Sequence, residues 1–325
     1  MNPALPAPLA AALEALAEGR SGRDLAARAQ TISALYRSGA PSSQAIRGED
    51  DALAYALTRM PATYAAVRAA LEALTIWAPD FQPRTLADIG CGPGTASWAA
   101  MAAYDEDVRE IHLLDGNKHL LELSRHLLSR SHIRTADLTQ GDLSTAILPT
   151  ADLVIAAYVL TEMPDAVAVA LADRMWAATE GALVIVEPGT PAAWARLMAV
   201  RSTLISQGAA VAAPCPHHDP CPLVAPDWCH FSQRLPRSRA HRLAKGADAP
   251  FEDEKYAYLA LVRPGVAVAR PMARVLAPPV EDKAAVSLKL CEPSGALELR
   301  RIAKRDKAAY RAVRRADWGD ALEPE

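Results

Sequence analysis

The sequence predicts an α/β protein: a doubly wound, mostly parallel sheet with a helical region before it and a smaller β extension after it. Three observations carry this. Residues 85–98 read as a strand, a glycine-rich turn and the opening of a helix. Strand-like and helix-like segments then alternate as far as residue 206, the pattern of repeated βαβ units. Residues 1–80 carry only helical spacing, and strand-like runs resume at Tyr256. The chain thus divides into a helical region (1–80), a ligand-binding core (81–210), a cysteine-rich basic insertion (211–250) and a closing segment of strands, small β extension and basic helix (251–325).

The turn Asp88-Ile89-Gly90-Cys91-Gly92-Pro93-Gly94 is the chemistry-bearing part of the first half. Gly90, Gly92 and Gly94 let the backbone turn tightly and approach a ligand, and the helix from Thr95 opens with unpaired N–H groups. Asp-x-Gly-x-Gly-x-Gly is the form seen at S-adenosylmethionine (SAM) sites, whereas the dinucleotide fingerprint spaces its glycines as Gly-x-Gly-x-x-Gly. A second strand, 111–115, ends on Asp115, about twenty residues further on, where an acid meets ribose hydroxyls. The alternative is that Asp115 caps a helix starting near Lys118.

The remaining elements follow from spacing and punctuation. Leu9, Leu13 and Leu16, then Leu25, Ile32 and Leu35, recur at helical intervals, with turns at Ser21-Gly22 and Ser38-Gly39-Ala40-Pro41. Asp50-Asp51 starts a helix over 52–60, and Pro61 opens another to about Trp77. Beyond Asp115, strands are expected at 134–139, 151–157 and 181–187, and helices at 166–176 and 192–206. Residues 214–236 are Pro-rich and lack apolar periodicity. Runs 256–262 and 285–290 suit an antiparallel pair closing the sheet, 296–302 an extra strand, and 304–315 a basic helix.

With 325 residues, 51% of them hydrophobic, the chain can bury a large core and a smaller appended unit. No apolar run is long enough for a membrane span, and the first eleven residues lack the basic start of a secretory signal, so a cytoplasmic, monomeric protein with no membrane partner is expected. The net charge of −3 hides a division: residues 1–229 hold 16 Lys and Arg against 25 Asp and Glu, and residues 230–318 hold 19 against 10. A basic C-terminal third calls for an anionic partner, with nucleic acid foremost. Its cations cluster as Arg234, Arg237, Arg239, Arg242 and Lys245, and as Lys304, Arg305, Lys307, Arg311, Arg314 and Arg315.

Five cysteines in a cytosolic chain point to ligands or buried thiols before disulfides. Cys215, Cys221 and Cys229 lie in the Pro-rich stretch, and Cys291 ends a strand far downstream. Four thiolates suit either tetrahedral zinc or an iron–sulfur cluster. The spacing is wider than that of zinc ribbons, and His217, His218 and His230 are possible substitutes in a zinc site. Cys91 sits in the glycine turn, where only a small side chain is required.

Taken together, several stretches are similar to one family. They are Arg59-Met60-Pro61-Ala62-Thr63-Tyr64, the glycine loop running into Ala96-Ser97-Trp98-Ala99, and Val186-Glu187-Pro188-Gly189-Thr190-Pro191. Cys215-Pro216-His217, Cys221-Pro222, Trp228-Cys229-His230-Phe231, Arg274-Val275-Leu276-Ala277-Pro278-Pro279, Leu290-Cys291-Glu292 and Trp318-Gly319-Asp320 complete the pattern. Over residues 59–318 the chain resembles the methyltransferase-like proteins associated with the small ribosomal subunit of mitochondria and bacteria. The resemblance implies a class I SAM-methyltransferase-like, Rossmann-type sheet and a metal-stapled C-terminal extension. It also implies a 4Fe–4S cluster on Cys215, Cys221, Cys229 and Cys291, with zinc as runner-up, and a role in small-subunit assembly or translation through rRNA contact.

For SAM, Gly90, Gly92 and Gly94 would pass the methionine part, Asp88 would orient the loop or the amino group, and Asp115 would take the ribose. Asp142 and Leu143 would flank the adenine, the alternative for Asp142 being an ordinary turn, and Tyr158 opens the segment that usually handles the methyl acceptor. Neither an Asn/Asp-Pro-Pro-aromatic motif nor a free nucleophilic cysteine is present in the sequence, so no catalytic residue is assigned. The expected function is a SAM-dependent rRNA methyltransferase. The alternatives are a non-catalytic iron–sulfur rRNA-binding assembly factor and a zinc-containing small-molecule methyltransferase.

Overall fold

In the computed structural model, residues 3–38, 42–133 and 135–322 are described; the turn expected at Gly39-Ala40-Pro41 and Arg134, at the start of the expected third strand, lie outside them. Four helices come first: α1 (Ala7–Ala17), α2 (Gly22–Arg37), the short α3 (Ser42–Ala45) and α4 (Glu49–Trp77). Ser21 caps α2 by accepting the Asp24 N–H. The two helices expected on either side of Pro61 are one, because α4 runs through the proline unbroken. An interior proline removes a backbone hydrogen bond and costs about 3 kcal/mol. Here α4 is buried on nearly every side between α2, α5 and strands of the sheet, and that packing outweighs the local penalty.

The main sheet alternates with helices: β1 (Thr85–Ile89), α5 (Thr95–Tyr104), β2 (Glu110–Asp115), α6 (Lys118–Leu128), β3 (Thr135–Gln140), β4 (Ala151–Ala157), α7 (Asp165–Ala178), β5 (Thr179–Pro188) and α8 (Pro191–Ser206). It is completed by β6 (Ala210–Ala213), β7 (Phe231–Pro236), α9 (Arg239–Lys245) and β8 (Phe251–Val262). The strand order is β3-β2-β1-β4-β5-β8-β6, with β7 also pairing to β8. β1 to β5 are parallel, and β8 runs antiparallel to β5, β6 and β7. The central strands are continuous apolar runs because helices cover both faces. This is the class I methyltransferase-like arrangement that the sequence resemblance implies. The chain reverses its direction of winding between β1 and β4, and the crevice beyond their carboxyl ends is where such sheets bind ligands.

A second sheet holds β9 (Ala273–Val275), β10 (Val280–Glu281), β11 (Ala285–Cys291), β12 (Leu297–Ala303) and β13 (Ala321–Leu322), with α10 (Lys307–Val313) packed on it. Two expectations change here. Residues 256–262 and 285–290 do not pair: β8 closes the main sheet on β5, whereas β11 pairs β9, β10 and β12 in the second. Apolar runs mark strands but leave the partner open, and the burial patterns differ, β8 being enclosed on both faces from Tyr256 onward and β11 alternating. The Pro-rich stretch is not wholly irregular either, since its last six residues form β7. The basic helix is shorter than expected: Asp306 caps it, leaving Lys304 and Arg305 before it.

Candidate functional site

The glycine loop joins β1 to α5 and is fixed by hydrogen bonds from the neighbouring strand. The Gly90 and Cys91 N–H groups donate to the Leu114 carbonyl at 2.7 and 3.1 Å. Gly90 is at φ +70°, and a Cβ there would lie 2.5 Å from Val159 Cγ2, so both conformation and space exclude a side chain. Asp115 completes the tie. Its Oδ2 accepts the Gly92 N–H (2.8 Å) and its Oδ1 the Asn117 N–H (2.7 Å). The cap of α6 is Asn117, which accepts from the His119 and Leu120 N–H groups. Asp115 is therefore a loop brace facing the crevice and not the helix cap.

Beyond the strand ends lies a cavity of about 610 Å³, within the size range of small-molecule sites. Gly90, Gly92, Asp115, Asp142, Leu143 and Tyr158 line it together. Gly94 does not: at φ +80° it starts α5 and packs against Ser124. Asp88 lies in a smaller adjoining crevice with Gly90, Gly92 and Arg59. Its Oδ2 accepts both the N–H (3.0 Å) and the hydroxyl (2.7 Å) of Ser97, so it orients the loop against α5. Asp142 is in a turn, its Oδ1 taken by the Ser144 N–H and hydroxyl. These bonds hold its carboxyl below the usual range, although the residue still faces the cavity.

Tyr158 has a positive φ of 62°, rare outside glycine and costly unless the surroundings enforce it. Its hydroxyl donates to Glu254 Oε1 (2.7 Å), which also faces the Arg59 guanidinium (3.6 Å). Tyr36, Ser42 and Tyr55, from the N-terminal helices, and Glu162 form the outer wall. None of these partners stood out in the sequence. Arg59 alone had a signal, its place in the Arg59-Met60-Pro61 motif, which named no role.

Cys215, Cys221, Cys229 and Cys291 line one apolar pocket between α8, β8 and the second sheet, and all are free thiols. Among the described residues, no three His, Cys, Asp or Glu side chains form a group that could hold a metal ion. His218 Nε2 accepts the Val211 N–H, and His230 stacks on Trp228 with its Nδ1 3.3 Å from the Trp228 carbonyl. His217 Nε2 lies 3.3 Å from Cys291 Sγ. Burial pushes the Cys221 and Cys229 thiols up and that of Cys291 to about 12, so an occupant must displace protons. Two arginines, Arg201 and Arg274, are buried beside this pocket, and Arg201 Nε and Arg274 Nη2 lack hydrogen-bond partners.

The basic candidates separate into two kinds. Arg234 pairs with Asp253, Arg237 and Lys245 with Glu252, and Lys304 with Glu281. Arg239, Arg242, Arg305, Arg311, Arg314 and Arg315 are exposed and form no ion pair among the described residues. The spacing of the cations in sequence carries no information about the carboxylates facing them.

Two buried acids make the site sensitive to pH. Burial pushes Asp88 up to about 7 against the opposing Ser97 hydrogen bonds, and it pushes Glu187 up to about 8 against the Leu160 N–H. A carboxyl whose pKa is higher folded than unfolded stabilises the fold while protonated, and that contribution is lost as pH rises through the folded value. Denaturant unfolding should therefore show the advantage of wild type over Asp88→Asn shrinking between about pH 4 and 7. The corresponding window for Glu187→Gln reaches about pH 8, and parallel curves for wild type and both variants would contradict this.

The whole arrangement falls within one family. The model of the Rsm22 family, described as mitochondrial small ribosomal subunit Rsm22, matches residues 49–323. The human mitochondrial ribosome assembly protein METTL17 is 30% identical over 287 residues, 83% of this chain; the chain spans 62% of that relative's length. Among solved structures, magnesium protoporphyrin IX methyltransferase from Synechocystis, with SAM bound, gives a TM-score of 0.41 at 14% identity, covering 62% of this chain and 80% of that one. Human N-acetylserotonin methyltransferase, in complex with SAM, gives 0.42 at 14% identity, covering 76% and 68%. The family match takes in the glycine loop, the cavity lining apart from Tyr36 and Ser42, and all four cysteines of the apolar pocket, and the chain belongs to the Rsm22 family.

Proposed function

We propose that the chain is a SAM-binding, methyltransferase-like factor of small-ribosomal-subunit assembly that contacts rRNA and carries a 4Fe–4S cluster. The observation that carries the SAM part is the 610 Å³ cavity in which Gly90, Gly92 and Asp115 meet at the switch point of the sheet. Each Asp115 oxygen accepts one backbone N–H and keeps a lone pair for the ribose hydroxyls. Leu143 supplies an apolar wall for the adenine, and Asp88 lies on the side of the loop where the methionine part would run. Bound SAM would supply an electrophilic methyl group, held in place by these residues. Titration calorimetry should register SAM binding to the wild type and at least tenfold weaker binding to Asp115→Ala. No binding by the wild type would remove the SAM reading.

The ribosomal part follows from family membership together with the six unpaired arginines on the C-terminal third. The cluster would be held by Cys215, Cys221, Cys229 and Cys291. What supports this reading is that all four cysteines line one apolar pocket, and four thiolates are the donor set of such a cluster. A structural cluster there would tie the Pro-rich loop to the second sheet, on which α10 and its arginines sit.

A second reading, binding without catalysis, is favoured by the cavity itself: Glu254 and Arg59 engage the Tyr158 hydroxyl side, where the methyl acceptor would be handled. RNA crosslinking in cells, with methylation mapping in a deletion strain, separates the two. Small-subunit rRNA should crosslink, and Arg311→Glu, Arg314→Glu and Arg315→Glu together should cut the yield at least tenfold, since each lost phosphate contact weakens binding. A methylation site lost on deletion selects catalysis, an unchanged map selects the non-catalytic factor, and no rRNA crosslink contradicts both.

A further inference from the structure

We propose that Arg201 and Arg274 are the charge-balancing pair of the cysteine pocket, retaining its anionic occupant and raising its reduction potential. The proposal rests on the cluster reading above. Both side chains are nearly inaccessible, 2% and 4% exposed, and neither has a carboxylate partner among the described residues. Arg201 donates to the His217 carbonyl (2.8 Å), and Arg274 donates to the carbonyls of Pro214 (2.9 Å) and Gly319 (2.8 Å). A fully buried nitrogen of each, Nε of Arg201 and Nη2 of Arg274, is left without a partner among the described residues. A buried guanidinium with neutral partners only is expensive unless an anion faces it.

The two cations reach the thiols from different elements, α8 and β9. Arg274 stands directly across the β9–β11 ladder from Cys291 and its charge acts on Cys229. Arg201 comes from α8, acts on Cys221 and Cys291, and holds the backbone of His217, whose ring touches Cys291. Other charges nearby are already matched or in water: Asp227 pairs with Lys289, Glu292 pairs with Arg300 at 2.8 Å, and Asp219 and Arg270 are exposed. What remains is a buried charge of two positive groups. Four thiolates on a cube of four irons and four sulfides carry about two net negative charges oxidised and about three reduced, which matches the pair and favours the reduced form.

The test uses the full chain, purified without air, with iron and sulfide analysis followed by dithionite titration against redox mediators, read by electron paramagnetic resonance. The wild type should hold iron and sulfide. In Arg274→Gln or Arg201→Gln the reduced-to-oxidised ratio at a fixed potential should fall about tenfold, which is 59 mV for one electron. Arg274→Lys, which keeps the charge but not both carbonyl bonds, should stay within about threefold of wild type. Equal potentials in wild type and both Gln variants would overturn the proposal, as would a Lys variant shifted as far as Gln. Should Arg274→Gln lose its iron, retention by Arg274→Lys supports the charge role and loss from both overturns it. A wild type without iron and sulfide overturns the cluster reading and this inference with it, a failure confined to the wild-type arm.

Discussion

Everything at the ligand end of the fold depends on where one carboxylate is held. Asp115 ends β2, and its two oxygens accept N–H groups from Gly92, in the loop after β1, and Asn117, at the start of α6. Two βα units are thereby locked at their carboxyl ends. The loop cannot straighten, because Gly90 is also held by the Leu114 carbonyl and backed by Val159. Burial raises the pKa of Asp115 while the two backbone bonds oppose it, so the group is a desolvated acceptor kept in place by fixed donors.

The second dependence is on α4. It packs against α2 and α5 on one side and against β7 and β8 on another, so the N-terminal helices share a core with the sheet. From it Tyr55 reaches the cavity and Arg59 reaches the Tyr158–Glu254 pair. The cysteine pocket lies away from the glycine loop, at the seam between β8 and the second sheet. Ligand cavity and cysteine pocket are thus separate sites on one body.

The parallel half of the fold was legible because its signals are local. Continuous apolar runs gave β4 and β5 within two residues, and the glycine spacing located the loop. What escaped depends on tertiary partners. Whether Pro61 breaks a helix depends on what surrounds α4, and which strand β8 joins depends on a sheet edge that no local pattern encodes. The site was legible to the same depth: Asp115 was readable from its position at the end of β2, whereas Glu254 and Arg59 come from distant elements. Basic runs misled where carboxylates from β8 face them, as with Arg234 and Arg237. Arg201 and Arg274 escaped because burial, not sequence, sets them apart.

The central claim is that the braced glycine loop is a binding site and not merely a fold element. Amide hydrogen exchange with and without SAM tests it most directly, since each affected N–H is identified by position. The account predicts slower exchange in SAM at residues 90–97, 115–117 and 141–144, with the cysteine pocket unchanged. Exchange indifferent to SAM at residues 90–97, or protection confined to residues 215–230, would contradict it.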